Sequence, residues 1–126
     1  MRSLFVAVID DDEALCSSLA DLMRSIGHRA EPFDSAEMFL NSADRLRFDC
    51  IIADVHMPGM GGLNLARKLQ EQGTTTPVIL ITALPDRSLD DVAISVGAQC
   101  LLRKPFESNT LLDCIERSVS DGRPSG

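Results

Sequence analysis

Short apolar runs alternate along the chain with longer stretches in which apolar residues recur every three or four positions. Four runs are clearly apolar, LFVAVI, CIIAD, PVILIT and QCLLR, at residues 4–9, 50–54, 77–82 and 99–103, and HRAEPF at residues 28–33 is a weak, polar one. Near-continuous apolar runs of this length are typical of strands that are covered on both faces, so we predict a β-strand at each. HRAEPF is the most polar run and contains Pro32, which predicts an edge strand. PVILIT is the most apolar, which predicts a central one.

A stretch with the periodicity of an amphipathic helix follows each predicted strand. The five predicted helices lie around residues 13–26, 38–40, 63–73, 87–96 and 111–119. Strict alternation with short connections indicates right-handed crossovers and a parallel sheet with helices on both faces. We therefore predict an α/β protein with a (βα)5 doubly wound, flavodoxin-like fold and a five-stranded parallel sheet in the order 2-1-3-4-5.

Composition excludes several classes of function. The chain has 126 residues, of which 44% are hydrophobic and 25% charged, as expected for one soluble domain. We see no run long enough to cross a bilayer and no secretory signal, so we expect no membrane association and a cytoplasmic location. The net charge of -7 and the lack of Trp and Tyr argue against direct nucleic acid binding by this domain.

The four cysteines are Cys16, Cys50, Cys100 and Cys114. They form no CxxC pair, and each falls within an apolar pattern. This arrangement favours reduced, buried thiols over a disulfide framework or a zinc site.

Charged and hydroxyl side chains follow the strands that should lie in the middle of the sheet. Parallel strands end at one edge, and this strand order opens a crevice between strands one and three. We expect Asp10, Asp11 and Asp54 to converge there, with Thr82 and Lys104 beside them. Two charges about 4 Å apart repel by roughly 4 kcal/mol at an effective dielectric of about 20, which a hard divalent cation relieves. The set suits Mg²⁺ and a phosphoryl group carried on a carboxylate.

The motifs VIDDDE, IIADVHMPGMGGL, LITA and GAQCLLRKPF resemble the receiver (CheY-like) domain of two-component response regulators. VIDDDEA, FDSAEMFL and RKPFE are most similar to the receivers of FixJ-type regulators. The resemblance covers about residues 4–120. We therefore predict a receiver domain at residues 1–120 and a polar tail, or the start of a linker, at residues 121–126.

The resemblance implies a role for each acid of the cluster. Asp54 would be the phosphoacceptor and a Mg²⁺ ligand, Asp11 a direct Mg²⁺ ligand, and Asp10 a ligand through water. The backbone carbonyl of His56 would be a further metal ligand, while its side chain would shape access from the rim. Asp12 has a simpler explanation, because an acid at the start of a helix commonly caps it.

The resemblance also implies how a signal leaves the site. Thr82 would contact the phosphoryl group and move on activation, Lys104 would pair with its oxygens, and Pro105 would follow a cis peptide bond. Many receivers carry Phe or Tyr at the switch position three residues before the Lys, where this chain has Leu101. We expect a smaller aliphatic repacking there, or another route. Many relatives also carry a polar residue where Gly61 stands, which predicts a looser loop after Asp54.

The implied function is that of a stoichiometric phosphoacceptor rather than a turnover enzyme. A sensor histidine kinase or phosphotransfer protein would donate the phosphoryl group, and the domain would catalyse its own phosphorylation and dephosphorylation. The face formed by helix four, strand five and helix five would switch and could form a homodimer. The output would be transcription through a DNA-binding domain, as in FixJ-type regulators, or the receiver would stand alone.

Three other interpretations fit part of the pattern. Haloacid-dehalogenase-like phosphatases form an aspartyl phosphate with Mg²⁺, but they usually carry a second Asp where this chain has His56. A flavodoxin-like cofactor carrier would need a hydroxyl- and glycine-rich loop where this chain has three acids. A degenerate receiver that only binds partners is kept open by Leu101.

Overall fold

Five strands and five helices alternate along the chain in a computed structural model, which describes residues 3–43 and 45–121. The strands are β1 (Phe5–Ile9), β2 (Arg29–Phe33), β3 (Cys50–Asp54), β4 (Val78–Thr82) and β5 (Cys100–Arg103). The helices are α1 (Glu13–Ser25), α2 (Ala36–Leu40), α3 (Gly62–Glu71), α4 (Ser88–Ser95) and α5 (Ser108–Asp121). None of the helices described is long and apolar enough to span a membrane. Of the predicted tail, residues 122–126 lie outside the described residues.

The strands form one parallel sheet in the order β2-β1-β3-β4-β5. This confirms the predicted flavodoxin-like fold and strand order. β2, which carries Pro32, lies at an edge as predicted. β4, the most apolar strand, lies inside the sheet between β3 and β5 as predicted, and β3 is the middle strand. All residues of both strands are buried, so their composition alone does not tell which is central.

Alternating side chains of each strand enter two cores, one on each face of the sheet. Ala7 and Ile9 of β1 pack into the first core, with residues from α2, α3 and α4. Val6 and Val8 pack into the second, with residues from α1 and α5. Because both faces are covered, the strands are held rigidly and their C-terminal ends occupy fixed positions along one edge.

Side-chain caps fix the starts of the first two helices. The carboxylate of Asp12 accepts a hydrogen bond from the backbone N–H of Leu15, which confirms the predicted N-cap of α1. The hydroxyl of Ser35 accepts one from the N–H of Met38 at the start of α2. Such caps satisfy N–H groups that have no partner within the helix.

The cysteines correct the expectation of four reduced thiols. Cys100 in β5 and Cys114 in α5 are joined as a disulfide, with their Cα atoms 6.6 Å apart, a separation that disulfides span. The two cysteines meet because α5 and β5 both contribute side chains to the second core, which the spacing of the cysteines along the chain does not reveal. Cys16 and Cys50 are free and buried. Burial raises the pKa of the Cys50 thiol to about 12, which makes it unreactive.

Two glycines let the start of α3 approach the end of β3. A Cβ atom on Gly62 would lie 2.5 Å from the carbonyl oxygen of Asp54 and 3.0 Å from Cδ2 of Leu80. A Cβ atom on Gly61 would lie 2.4 Å from the carbonyl oxygen of Val55. The missing side chain of Gly61 is what allows this close contact, and the expectation that Gly61 loosens the loop stays a prediction.

The substitution Gly62→Ala tests this contact. Alanine in an open helix normally stabilises by about 0.5–1 kcal/mol relative to glycine. Here we expect the opposite sign, a loss of about 1–3 kcal/mol in the free energy of unfolding, because the methyl group overpacks against backbone. Urea denaturation measures this loss, with the exposed α3 substitution Lys68→Ala as a control that should stay within about 0.5 kcal/mol. A stabilised Gly62→Ala variant would show that the contact is not tight.

Candidate functional site

The predicted site residues meet at the C-terminal edge of the sheet. Asp10 follows β1, Asp54 ends β3, Thr82 ends β4, and Lys104 follows β5. Asp10, Asp54 and Thr82 are buried. Burial is unusual for carboxylates, and it indicates that the two acids have partners. Oxygen atoms of Asp10, Asp11 and Asp54 all lie within 4.8 Å of one another.

Hydrogen bonds fix both oxygens of the Asp54 carboxylate. Oδ1 accepts a bond of 2.9 Å from the backbone N–H of His56, and Oδ2 accepts one of 2.9 Å from Nζ of Lys104. The His56 bond comes from the loop after β3 and the Lys104 bond from the loop after β5. The carboxylate is thus held from two sides in one orientation, beside the other two acids.

Lys104 is the cation that balances this cluster. Its Nζ lies 2.9 Å from Oδ2 of Asp54 and 3.6 Å from Oδ2 of Asp10. Burial lowers the pKa of Lys104, but the hydrogen bond to Asp54 and the charge of Asp10 outweigh it, so the pKa is raised overall. The ammonium group therefore stays charged at neutral pH.

Asp10 is the acid that its surroundings perturb most. Burial raises its pKa to about 6, and the charge of Asp54 adds to the rise; the hydrogen bond from the N–H of Asp12 and the charge of Lys104 oppose it. Its Oδ1 accepts that bond at 2.9 Å. Its Oδ2 is buried and has no hydrogen-bond partner in the described part of the chain, because Lys104 is too distant for a hydrogen bond.

This donor set fits a hard divalent cation. The three carboxylates have oxygen atoms close enough together to contact one ion, and carboxylate oxygens are the ligands that Mg²⁺ prefers. The buried Oδ2 of Asp10 lacks a donor, and Asp11 is exposed. One hydrated cation beside them would satisfy that oxygen through a bound water and would reduce the repulsion among the acids. The residues present therefore fit the predicted magnesium site.

Thr82 connects the site to the loop between β4 and α4. Its Oγ1 accepts a hydrogen bond of 3.1 Å from the N–H of Leu84, and its carbonyl oxygen accepts one of 2.8 Å from the N–H of Lys104. The Lys104-Pro105 peptide bond is cis. Leu101 packs partly buried against the first core. Thr82 thus lies between Asp54 and a loop that leads towards α4.

Sequence reasoning missed a clamp that holds this loop. The guanidinium of Arg103 donates to both carboxylate oxygens of Asp90 on α4, each at 3.1 Å, and to the carbonyl oxygen of Asp86 at 2.7 Å. Asp86 in turn accepts from the N–H and hydroxyl of Ser88. The partners come from different elements, so no spacing in the sequence signals the clamp; only the charge of an otherwise apolar strand end hints at it.

The substitution Asp10→Asn tests the electrostatics of the metal-free site. The pKa of Asp10 is raised from 3.8 to about 6 in the folded state, so folding favours the protonated carboxyl. Its contribution to the free energy of unfolding is therefore fully present at low pH and is lost as the pH rises through 6. At pH 7.5 in EDTA we expect the variant to be more stable by about 1–3 kcal/mol, since one pKa unit corresponds to about 1.4 kcal/mol.

Urea denaturation across pH measures this difference, which should shrink towards zero as the pH falls below about 4. The exposed α5 substitution Asp113→Asn is the control and should show little effect at pH 7.5. A destabilised Asp10→Asn variant at pH 7.5 without metal would contradict the account.

The comparisons with known proteins all give response regulators. The response regulator receiver domain family matches residues 6–116. Response regulator protein TodT of Pseudomonas putida is 39% identical over 118 residues, which cover 94% of this chain and 52% of that protein. Transcriptional regulatory protein FixJ of Bradyrhizobium diazoefficiens is 36% identical over 120 residues, which cover 95% of this chain and 58% of that protein.

Comparison of the fold with solved structures gives the same result. The solved structure of full-length FixJ from B. japonicum superposes with a TM-score of 0.88 at 35% identity, covering 98% of this chain and 61% of that one. The chain thus spans between half and two thirds of the length of these relatives. The resemblance stated from the motifs is confirmed: the chain belongs to the response regulator receiver domain family.

Proposed function

We propose that the domain accepts a phosphoryl group on Asp54 from a sensor histidine kinase or a phosphotransfer protein. The observation that carries the proposal is the ion pair between Lys104 and Asp54 within a cluster of three acids. A buried carboxylate with a cation at 2.9 Å is oriented, charged and close to groups that can bind phosphoryl oxygens. The transfer is stoichiometric, and the domain catalyses both its phosphorylation and its slower dephosphorylation.

The chemical step forms one bond and breaks one. A carboxylate oxygen of Asp54 attacks phosphorus, and the bond from phosphorus to the donor nitrogen or oxygen breaks, with its electron pair leaving on the donor. The product is an aspartyl phosphate whose negative charge lies next to Lys104. In dephosphorylation, water attacks phosphorus, the bond from phosphorus to the Asp54 oxygen breaks, and inorganic phosphate and the free carboxylate are released. Thr82 supplies a hydroxyl for one phosphoryl oxygen.

Mg²⁺ would be held by Asp11 and Asp54 directly, by Asp10 through water and by the backbone carbonyl of His56. When bound, the ion supplies positive charge to the cluster and to the incoming phosphoryl oxygens. The residues of the chain do the remaining work: Lys104 and the His56 N–H orient Asp54, and burial excludes bulk water from its carboxylate.

The switch runs from Thr82 to the face formed by α4, β5 and α5. When Thr82 turns towards the phosphoryl group, its bond to the N–H of Leu84 is lost and the β4–α4 loop is released. Arg103 opposes this movement, because it ties the loop and α4 to β5. Loosening of this polar clamp would therefore carry the signal to α4 in a chain whose switch position is Leu101.

This face would dimerise and control an output. Ile94 on α4 is 74% exposed and Leu84 is 44% exposed, which leaves apolar surface for a second copy of the domain. We propose transcription as the output, through a DNA-binding domain separate from residues 1–120, with residues 121–126 as a tail or linker. Support comes from the similarity to a protein named transcriptional regulatory protein FixJ and from the acidic net charge of this domain. We place it in the cytoplasm, where it would meet the phosphodonor.

The substitution Asp54→Asn tests the acceptor assignment. Intact-mass spectrometry after incubation with acetyl phosphate and MgCl₂ should show one added phosphoryl group on the wild type. We expect none on Asp54→Asn and none on the wild type in EDTA, because the carboxylate nucleophile or the metal is then missing. Asp113→Asn should behave like the wild type. Magnesium-dependent phosphorylation of Asp54→Asn would show that another residue is the acceptor.

The substitution Arg103→Ala tests the clamp. Easing the loop movement should favour the phosphoryl-bound arrangement, so the apparent affinity for the phosphoryl analogue beryllofluoride should rise about 2- to 5-fold, the size expected for a partly exposed ion pair. Isothermal titration calorimetry measures it. Asp90→Ala should act similarly, and the double variant should add little to either. Additive effects, or weaker binding, would contradict a clamp shared by these two residues.

A further inference from the structure

We infer that Glu37 is a positioning residue for the loop between β3 and α3, residues 55–61, and through this loop for the metal site beside Asp54. The inference rests on the proposed function, because it concerns binding of Mg²⁺ to that site. Glu37 belongs to α2, and no role was predicted for it from the sequence.

The carboxylate of Glu37 reaches across to this loop. Its Oε2 accepts a hydrogen bond of 3.1 Å from the backbone N–H of Met60. Glu37 is exposed, so its charge could be solvated without any protein partner. A contact between residues 23 positions apart and on different elements therefore adds a specific link between α2 and the loop, rather than relieving a buried charge.

The loop is shaped to receive this carboxylate. Gly59 has a φ of +76°, a conformation that favours glycine. A Cβ atom there would lie 2.7 Å from Oε2 and 3.6 Å from Cδ of Glu37. The position that faces the carboxylate thus carries no side chain, and the adjacent N–H of Met60 is left open to it. Two independent features of the loop point to the same carboxylate.

The helix that carries Glu37 is anchored at its start and in the core. Ser35 caps the start of α2, and Phe39 of the same helix is fully buried in the first core. On the loop side, Met57 and Met60 pack partly buried against that core. The link therefore joins two anchored pieces of chain rather than two mobile ones, so it limits the conformations open to the loop.

The metal-binding backbone lies between two such restraints. At one end the N–H of His56 donates to Asp54, and at the other the N–H of Met60 donates to Glu37. The carbonyl of His56, the expected metal ligand, lies between them. Loss of the Glu37 restraint should let this carbonyl sample more orientations, which weakens metal binding but leaves the chemistry of the bound state unchanged.

Three variants separate this role from others. Glu37→Ala removes the acceptor, Glu37→Gln keeps an acceptor oxygen without the charge, and Glu71→Ala removes an exposed helix glutamate elsewhere. For each, the apparent dissociation constant for Mg²⁺ comes from the rise in melting temperature with MgCl₂ concentration. The phosphorylation rate from acetyl phosphate is measured at low and at saturating MgCl₂, and amide hydrogen exchange of Met60 is followed in EDTA.

We expect Glu37→Ala to raise the dissociation constant for Mg²⁺ about 2- to 10-fold, the effect of losing one hydrogen bond. Its phosphorylation rate should fall at low MgCl₂ and recover at saturation, and the Met60 amide should exchange faster without metal. Glu37→Gln should restore most of the affinity and the protection of Met60. Glu71→Ala should match the wild type in all three measurements, and urea denaturation should show that all variants are folded.

Two results would overturn the inference. Unchanged exchange of the Met60 amide in Glu37→Ala would show that the bond does not restrain the loop. Equal loss of Mg²⁺ affinity in Glu37→Ala and Glu37→Gln would assign the effect to the negative charge alone. The exchange measurement needs no phosphorylation, so failure of the wild type to accept a phosphoryl group would count against the proposed function and not against the restraint.

Discussion

The ion pair between Lys104 and Asp54 is the interaction on which the site depends. It joins the ends of β3 and β5, which do not pair with each other, across the end of β4. Without Lys104, Asp54 and Asp10 would be two buried carboxylates with no basic side chain paired to them among the described residues, at a cost of several kcal/mol. With it, the acids can stay charged in a crevice whose carboxylate oxygens fit a metal ion and where we propose that the phosphoryl group binds. The sheet keeps these strand ends in place because both of its faces are packed.

The same crevice is destabilising when the metal is absent. Burial raises the pKa of Asp10 to about 6, and one of its oxygens has no hydrogen-bond partner among the residues that the structure describes. A protein under selection for stability alone would place an amide or an apolar group there. The strain is electrostatic and confined to one strand end, whereas the neighbouring residues Val8 and Ile9 pack as ordinary core. A metal ion that relieves this repulsion would couple its binding to the stability of the fold.

Sequence patterns predicted the fold and the members of the cluster because both follow from short-range rules. Alternating periodicities fixed the order of elements, and Asp10, Asp54 and Lys104 each stand directly after an apolar run. Interactions between side chains on different elements escaped prediction. The Cys100–Cys114 bond, the Arg103 clamp and the link from Glu37 to the loop depend on how α5, α4 and α2 pack, and no spacing along the chain encodes that packing. The close approach of Gly61 to Val55 escaped prediction for the same reason, because it exists only in the folded loop.

The most direct test of the central claim is to locate the phosphoryl group chemically. The protein is incubated with acetyl phosphate and MgCl₂, reduced with borohydride, and digested for peptide mass spectrometry. Because borohydride reduces an aspartyl phosphate to homoserine, the account predicts homoserine at position 54 and unmodified Asp10 and Asp11. It also predicts much less product in Lys104→Ala. Homoserine at another aspartate, or equal yield without Lys104, would contradict it.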